Sequence, residues 1–304
     1  MKVYLAGERL GVTPDGEVSP WLKYARRRLF SYYYHGRKNG GAPSTDVVDT
    51  HARGTDMFLD SGAFTAFTKD AVITVEEYAE FIHRTAHMWS ARSSLDAIGD
   101  AAKSYQYLKD LESLGCAVQP VFHAREDVAW LKKYLDEGYD YIFIGGMVPE
   151  TTKWLRGWLD DLFDHYLTNS DGTPRVKLHG FGLTDQKLMF RYPWHSVDSS
   201  SWLMTGIFGA CVFATPRGLR KVVFSEDSPQ ARNYKGWHYA RLPVAMQRQV
   251  DAWLEPFGVT AAQCATHYTF RDAVNAGTFQ AMETMGATHF VKQQHGLFDV
   301  EDVC

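Results

Sequence analysis

Through the first two thirds of the chain, short apolar runs alternate with segments of helical period, the pattern of βα units around a parallel sheet. The runs lie at 57–60, 93–96, 117–122, 141–145, 176–179 and 195–198. Between them, Thr74 followed by Glu77 forms a capping box, and Val75, Tyr78, Phe81, Ile82 and Met88 recur at helical spacing, predicting a helix over 75–89. Tyr105, Leu108 and Leu111 stop at Gly115, and Val128, Leu131 and Leu135 stop at Gly138, each glycine suiting the left-handed position past a helix end. Trp154, Leu155, Trp158, Leu162 and Tyr166 mark a fourth helix, and Thr184 can cap a short fifth. Two more runs, 2–6 and 29–34, bring the strands to eight, so the fold class expected is α/β, a closed (β/α)8 TIM-type barrel over 1–208. Beyond it, apolar runs at 211–214 and 221–224 flank Thr215, Pro216, Arg217 and Gly218 as a hairpin. Helix-like stretches follow near 242–256 and 260–284, making 209–304 a hairpin and helical appendage packed on the barrel.

Composition adds exclusions. The 304 residues are 45% apolar and 22% charged, as in an ordinary globule. The four cysteines form no CxxC pair, which points to a reducing cytoplasm without a zinc or redox motif. No basic-then-apolar leader opens the chain, and no apolar run nears the roughly 20 residues that cross a bilayer, so no membrane partner is expected. A net charge of −4 leaves room for a nucleic acid only along a local groove. Arg26, Arg27 and Arg28, followed by Tyr33, Arg37 and Lys38, mix cations with aromatics as a strand-binding groove does. Arg217 and Arg220, with Lys221, Arg232 and Lys235, offer a second patch. The competing reading of both is a solvated face.

In a barrel of this kind the reacting groups come from the carboxyl ends of several strands. Here those ends carry Asp60, Asp96, Gln119 with His123, Gly145 with Gly146, His179 to Gly182, and Asp198. Three carboxylates on one rim are costly unless protonated or paired, and a pair can divide labour as nucleophile and proton shuttle. At a sugar anomeric carbon that division gives a covalent glycosyl-enzyme. Each aspartate can alternatively cap the turn that follows it. His123, His179 and His195 can line the pocket, and Trp194 and Trp202 can wall it or simply pack. His83 and His87 have helical ligand spacing but no HExxH glutamate, so no metal and no other cofactor is expected.

In order, LDSGAFTAF, SLDAIGD, QPVFH, FIGGM, HGFGLT and SVDSSSW resemble the motifs of the tRNA-guanine transglycosylase superfamily over about 57–202. By that resemblance Asp198 is the nucleophile at C1′ and Asp60 the general acid/base. Asp96 reads the guanine edge, Gln119 meets the exocyclic oxygen, and Ser61, Gly62, Gly145 and Gly146 bind the base. The chain lacks the C-x-C-x-x-C…H zinc set of the tRNA enzymes. It has DSGAF for DSGGF, Thr65 where a glutamine follows in the family, and no proline and arginine after the nucleophile. It is more similar to the zinc-free phage and bacterial DNA branch. That likeness implies exchange of guanine in DNA for a free 7-deazaguanine, in the host cytoplasm if phage-encoded, the target nucleotide being flipped out of a duplex. The alternatives are the same chemistry on tRNA, a barrel glycoside hydrolase, and a nucleobase-binding module that catalyses nothing.

Overall fold

A computed structural model describes residues 1–9, 17–148, 150–183, 185–215, 218–228 and 237–291. Eight strands form one all-parallel sheet: β1 (Lys2–Leu5), β2 (Arg27–Ser31), β3 (Asp56–Asp60), β4 (Ala91–Arg92), β5 (Val121–His123), β6 (Tyr141–Gly145), β7 (Lys177–Gly180) and β8 (Ser196–Ser199). Their order is β4-β3-β2-β1-β8-β7-β6-β5. The two edge strands meet through a parallel bridge between Ser93 and Gln119, where Ser94 N–H donates to Gln119 O and Gln119 N–H to Arg92 O, at 2.8 and 2.9 Å. The sheet thus curls into a (β/α)8 barrel-like fold.

The helices among the described residues are α1 (Tyr32–His35), α2 (Thr45–Ala52), α3 (Ala63–Thr68), α4 (Val75–Thr85), α5 (Ala101–Ser113), α6 (Val128–Asp136), α7 (Thr152–Leu162), α8 (Gln186–Arg191), α9 (Ser201–Ile207), α10 (Val244–Leu254), α11 (Ala261–Thr266) and α12 (Tyr268–Ala281). Thr74 accepts from Glu77 N–H at the start of α4, but the reciprocal bond of the predicted capping box is not formed, because the Glu77 carboxylate turns to Arg37 Nε at 3.3 Å. Asp185 caps α8; the predicted cap, Thr184, lies outside the described residues. The antiparallel hairpin pairs β9 (Ala210–Thr215) with β10 (Gly218–Val223).

Three local expectations shift. The run at 29–34 is not all strand: β2 starts at Arg27 and ends at Ser31, and Tyr32 turns into α1, where its ring packs on Tyr78 and Phe81. The fourth strand lies at Ala91–Arg92, just before the predicted 93–96. The stretch 260–284 is two helices, because His267 is extended (φ −136°, ψ 141°) and its side chain accepts from Thr269 N–H to start α12.

Alternation along the strands sorts side chains between two compartments. Val3, Leu5, Met57, Leu59, Ile142, Ile144 and Val197 face outward into the core shared with the helices. Tyr4, Phe58 and Phe143 face inward and fill the barrel, packed around His179. Two residues further along their strands, Asp60 follows Phe58, Gly145 follows Phe143, and Asp198 follows the inward Ser196. The period of two therefore delivers all three to the same open end. Between β1 and β2 the described chain supplies only a short 3-10 turn (Pro20–Lys23), and α12 packs on that turn and on β1 instead. One side of α12 joins the barrel's outer core through Ala273, Ala276 and Phe279, while Val274 joins the hairpin's cluster with Cys211, Phe213 and Phe224.

Candidate active site at the carboxyl rim

A cavity of about 820 Å³ opens at the carboxyl ends of the strands, and Asp60, Asp96, Gly145, Gly146 and Asp198 all line it. Such a volume accommodates a small organic molecule. Each aspartate has its own support. Asp198, 6% exposed, receives Gly182 N–H at 2.9 Å and His179 Nε2 at 3.2 Å, both on Oδ1. With that carboxylate as acceptor, Nε2 carries the imidazole proton and Nδ1 accepts from Ser196 Oγ at 2.5 Å, which meets the Tyr141 hydroxyl, also at 2.5 Å. Burial holds His179 below its ordinary pKa even against the pull of Asp198, which favours the neutral ring this chain of bonds needs.

Asp60 is the carboxyl most altered by its setting. Burial, and then the charges of Asp96 and Asp198, push it up to about 7, against the hydrogen bond that Gly62 N–H donates to Oδ2 at 3.0 Å. Gly62 is required there: its φ of +76° is left-handed, and a Cβ would stand 2.5 Å from Ser31 Oγ and 2.6 Å from Tyr33 Cβ. Asp96 is held on both oxygens, by Ser61 Oγ at 3.2 Å and by His123 Nε2 at 3.0 Å. His123 Nδ1 in turn meets Glu126 Oε1 at 3.2 Å. Burial pulls the ring's pKa down, yet hydrogen bonds to Asp96 and Glu126 outweigh it and hold it up at about 10. The result is a cation clamped between two carboxylates at the cavity wall. Gly145 lets that ring sit close, since a Cβ would meet His123 Cδ2 at 2.8 Å.

The remaining sequence candidates divide. Ser61 and Gly62 join the cavity's supports without lining it. Gln119 is not brought to the cavity: it precedes β5, and its Oε1 accepts from Arg92 N–H at 2.9 Å, while His123 occupies the strand's rim end. Arg26, Arg27 and Arg28 lie at the opposite end of β2. Arg28 is 1% exposed, bidentate to Asp46 and stacked between Trp21 and Phe30; Arg27 pairs with Asp56 and Glu283, and Arg26 with Glu283 and Gln280 O. Tyr33 is buried beside the Gly62 turn, with Arg37 and Lys38 above its ring. Arg220 is exposed over Trp237, while Arg217, Arg232 and Lys235 lie outside the described residues. Trp194 and Trp202 are buried packing residues whose Nε1–H groups donate to Leu188 O and Ala6 O. His195, beside the Tyr141 ring, precedes β8 at the end away from the rim.

Sequence reasoning missed Glu126 and underrated His123. The signal was a histidine ending an apolar run with a glutamate three residues on, a spacing that brings the two side chains together in a tight turn. Compared with known proteins, the chain matches no family model and no curated protein. No described helix is long and apolar enough to cross a membrane.

Proposed function

We propose that this chain is a DNA-guanine transglycosylase, exchanging guanine in DNA for a 7-deazaguanine derivative such as 7-cyano-7-deazaguanine. The observation that carries the reading is the arrival of Asp60, Asp96 and Asp198 in one cavity from three different places in the barrel. Asp198 attacks C1′ of the target nucleotide; the bond from C1′ to guanine N9 breaks and an ester bond to the deoxyribose forms. Asp60, protonated near neutral pH, gives its proton to the leaving guanine. The incoming deazaguanine then returns a proton to Asp60 as its nitrogen displaces Asp198 from C1′. Asp96 accepts from the ring N–H and amino group of either base. DNA is preferred to RNA on the likeness to the zinc-free branch.

The test is incubation with DNA labelled in guanine and 7-cyano-7-deazaguanine, beside a tRNA control at the same salt. Label release from DNA that depends on the deazaguanine is the expected result. DNA binding without release would reject the exchange reaction. Release from tRNA alone would move the chemistry to RNA, and tight base binding with no adduct would leave a recognition module. His179→Phe keeps a ring among Phe58 and Phe143 but removes the donor to Asp198. It is expected to slow covalent adduct formation in single turnover by about ten- to a hundredfold, the worth of one hydrogen bond to a charged group. An unchanged rate would show that Asp198 does not depend on the histidine.

A further inference from the structure

Helix α3 leaves the Asp60-Ser61-Gly62 turn and forms one lip of the cavity. Its outer side is unusually apolar for a surface: Phe64 is 60% exposed at the cavity mouth, and Phe67 is 64% exposed. Phe67 lines a smaller cleft of about 310 Å³ that adjoins the cavity and shares Asp96 and Ile98 with it. Just past the helix, Lys69 stands 5.4 Å from the ring of Tyr34, and Lys38 stands 4.9 Å from the same ring. Among the described residues neither lysine forms an ion pair, although Glu8 is near enough to feel both charges. Two solvent-facing phenyl rings cost the protein solubility, and the two ammonium groups beside them, over the Tyr34 ring and in no ion pair among the described residues, keep the patch positively charged. They match the chemistry of a nucleic-acid strand, which offers flat apolar faces joined by phosphates.

We infer that this lip holds the DNA strand next to the extruded guanine, with Phe67 stacking on the neighbouring base and Lys38 and Lys69 meeting the flanking phosphates. The inference rests on the exchange reading and deepens it by placing the polymer on one side of the cavity. It also moves the cationic contact away from the arginines at the start of β2, which the fold consumes internally. Charge complementarity at the lip points to a polyanion: Lys38 and Lys69 make it locally positive on a protein whose net charge of −4 leaves room for phosphates only at such a patch.

The experiment is fluorescence anisotropy with a labelled single-stranded DNA oligonucleotide across a salt series. Two phosphate contacts on a single strand contribute about 1.4 to the slope of log affinity against log salt, so the Lys38→Ala, Lys69→Ala double variant is expected to flatten it by about that much. Phe67→Ala is expected to weaken binding by roughly five- to 150-fold at unchanged slope, the range for losing one stacked base. Calorimetric titration with 7-cyano-7-deazaguanine, which needs only the cavity, checks that each variant is folded. If the wild-type protein binds DNA and both variants match it in affinity and slope, the lip assignment is overturned while base exchange stands. If the variants lose DNA binding as expected but the wild-type protein releases no guanine, the lip stands and the reaction falls. Tighter binding of RNA of the same sequence, or wild-type dimers that Phe67→Ala dissociates without change in DNA affinity, would also overturn it.

Discussion

Asp198→Asn is expected to abolish covalent capture of DNA and to lower base exchange by at least about 10⁴-fold, the scale seen when an enzyme loses its nucleophile. The amide still offers an oxygen to Gly182 N–H and to His179 Nε2, so the two bonds that hold the side chain survive the change. What is lost is the second carboxylate oxygen as attacking atom. Denaturing gel electrophoresis of enzyme mixed with labelled DNA reads the adduct directly, and a persistent adduct would move the nucleophile elsewhere on the rim. Free-base binding, measured in parallel, separates a failure of chemistry from a failure of the pocket.

Asp60→Asn is expected to slow guanine departure by about 10²- to 10⁴-fold, the usual worth of a positioned general acid. In the wild-type protein that step should fall away as pH rises through about 7, where Asp60 gives up its proton, and the variant should lose this dependence. Wild-type stability should fall over the same rise in pH. The carboxyl titrates higher in the folded chain than the ordinary 3.8, so the folded state holds the proton more firmly. Its contribution is fully present below pH ~4 and is lost as pH rises to about 7, at about 1.4 kcal/mol for each unit between the two values. Asparagine carries no such charge. The variant should therefore melt above the wild type at pH 8, with the difference vanishing towards pH 4. A variant that melts lower at every pH would show that the proton is not what the cavity imposes on Asp60.

The rim was legible in the sequence because strand periodicity and strand ends are local signals. Asp60 and Asp198 each close an apolar run of known phase, and phase alone says that they point inward at the open end. The arginines were not legible, because their partners are distant. Nothing near Arg28 announces that Asp46 reaches it through α2, or that Trp21 and Phe30 sandwich it, and a cation without a visible partner reads as free. Gln119 failed for another reason. It lies on the bridge where the barrel edges meet, and its side chain completes that pairing by accepting from Arg92 N–H, a demand set by closure and not by any neighbour in sequence. The glutamate behind His123 carries no strand-end signal, because Glu126 reaches back to the rim from the loop.

The way α12 covers β1 bears on the order in which the protein can be made. Gln280 donates its side-chain amide to Val3 O across 277 positions, and Glu283 Oε1 accepts from Val3 N–H. During translation β1 leaves the ribosome long before α12, and its outer flank stays bare until that helix follows. Contacts of such long range are slow to form, and an apolar flank left bare in the interval is open to aggregation.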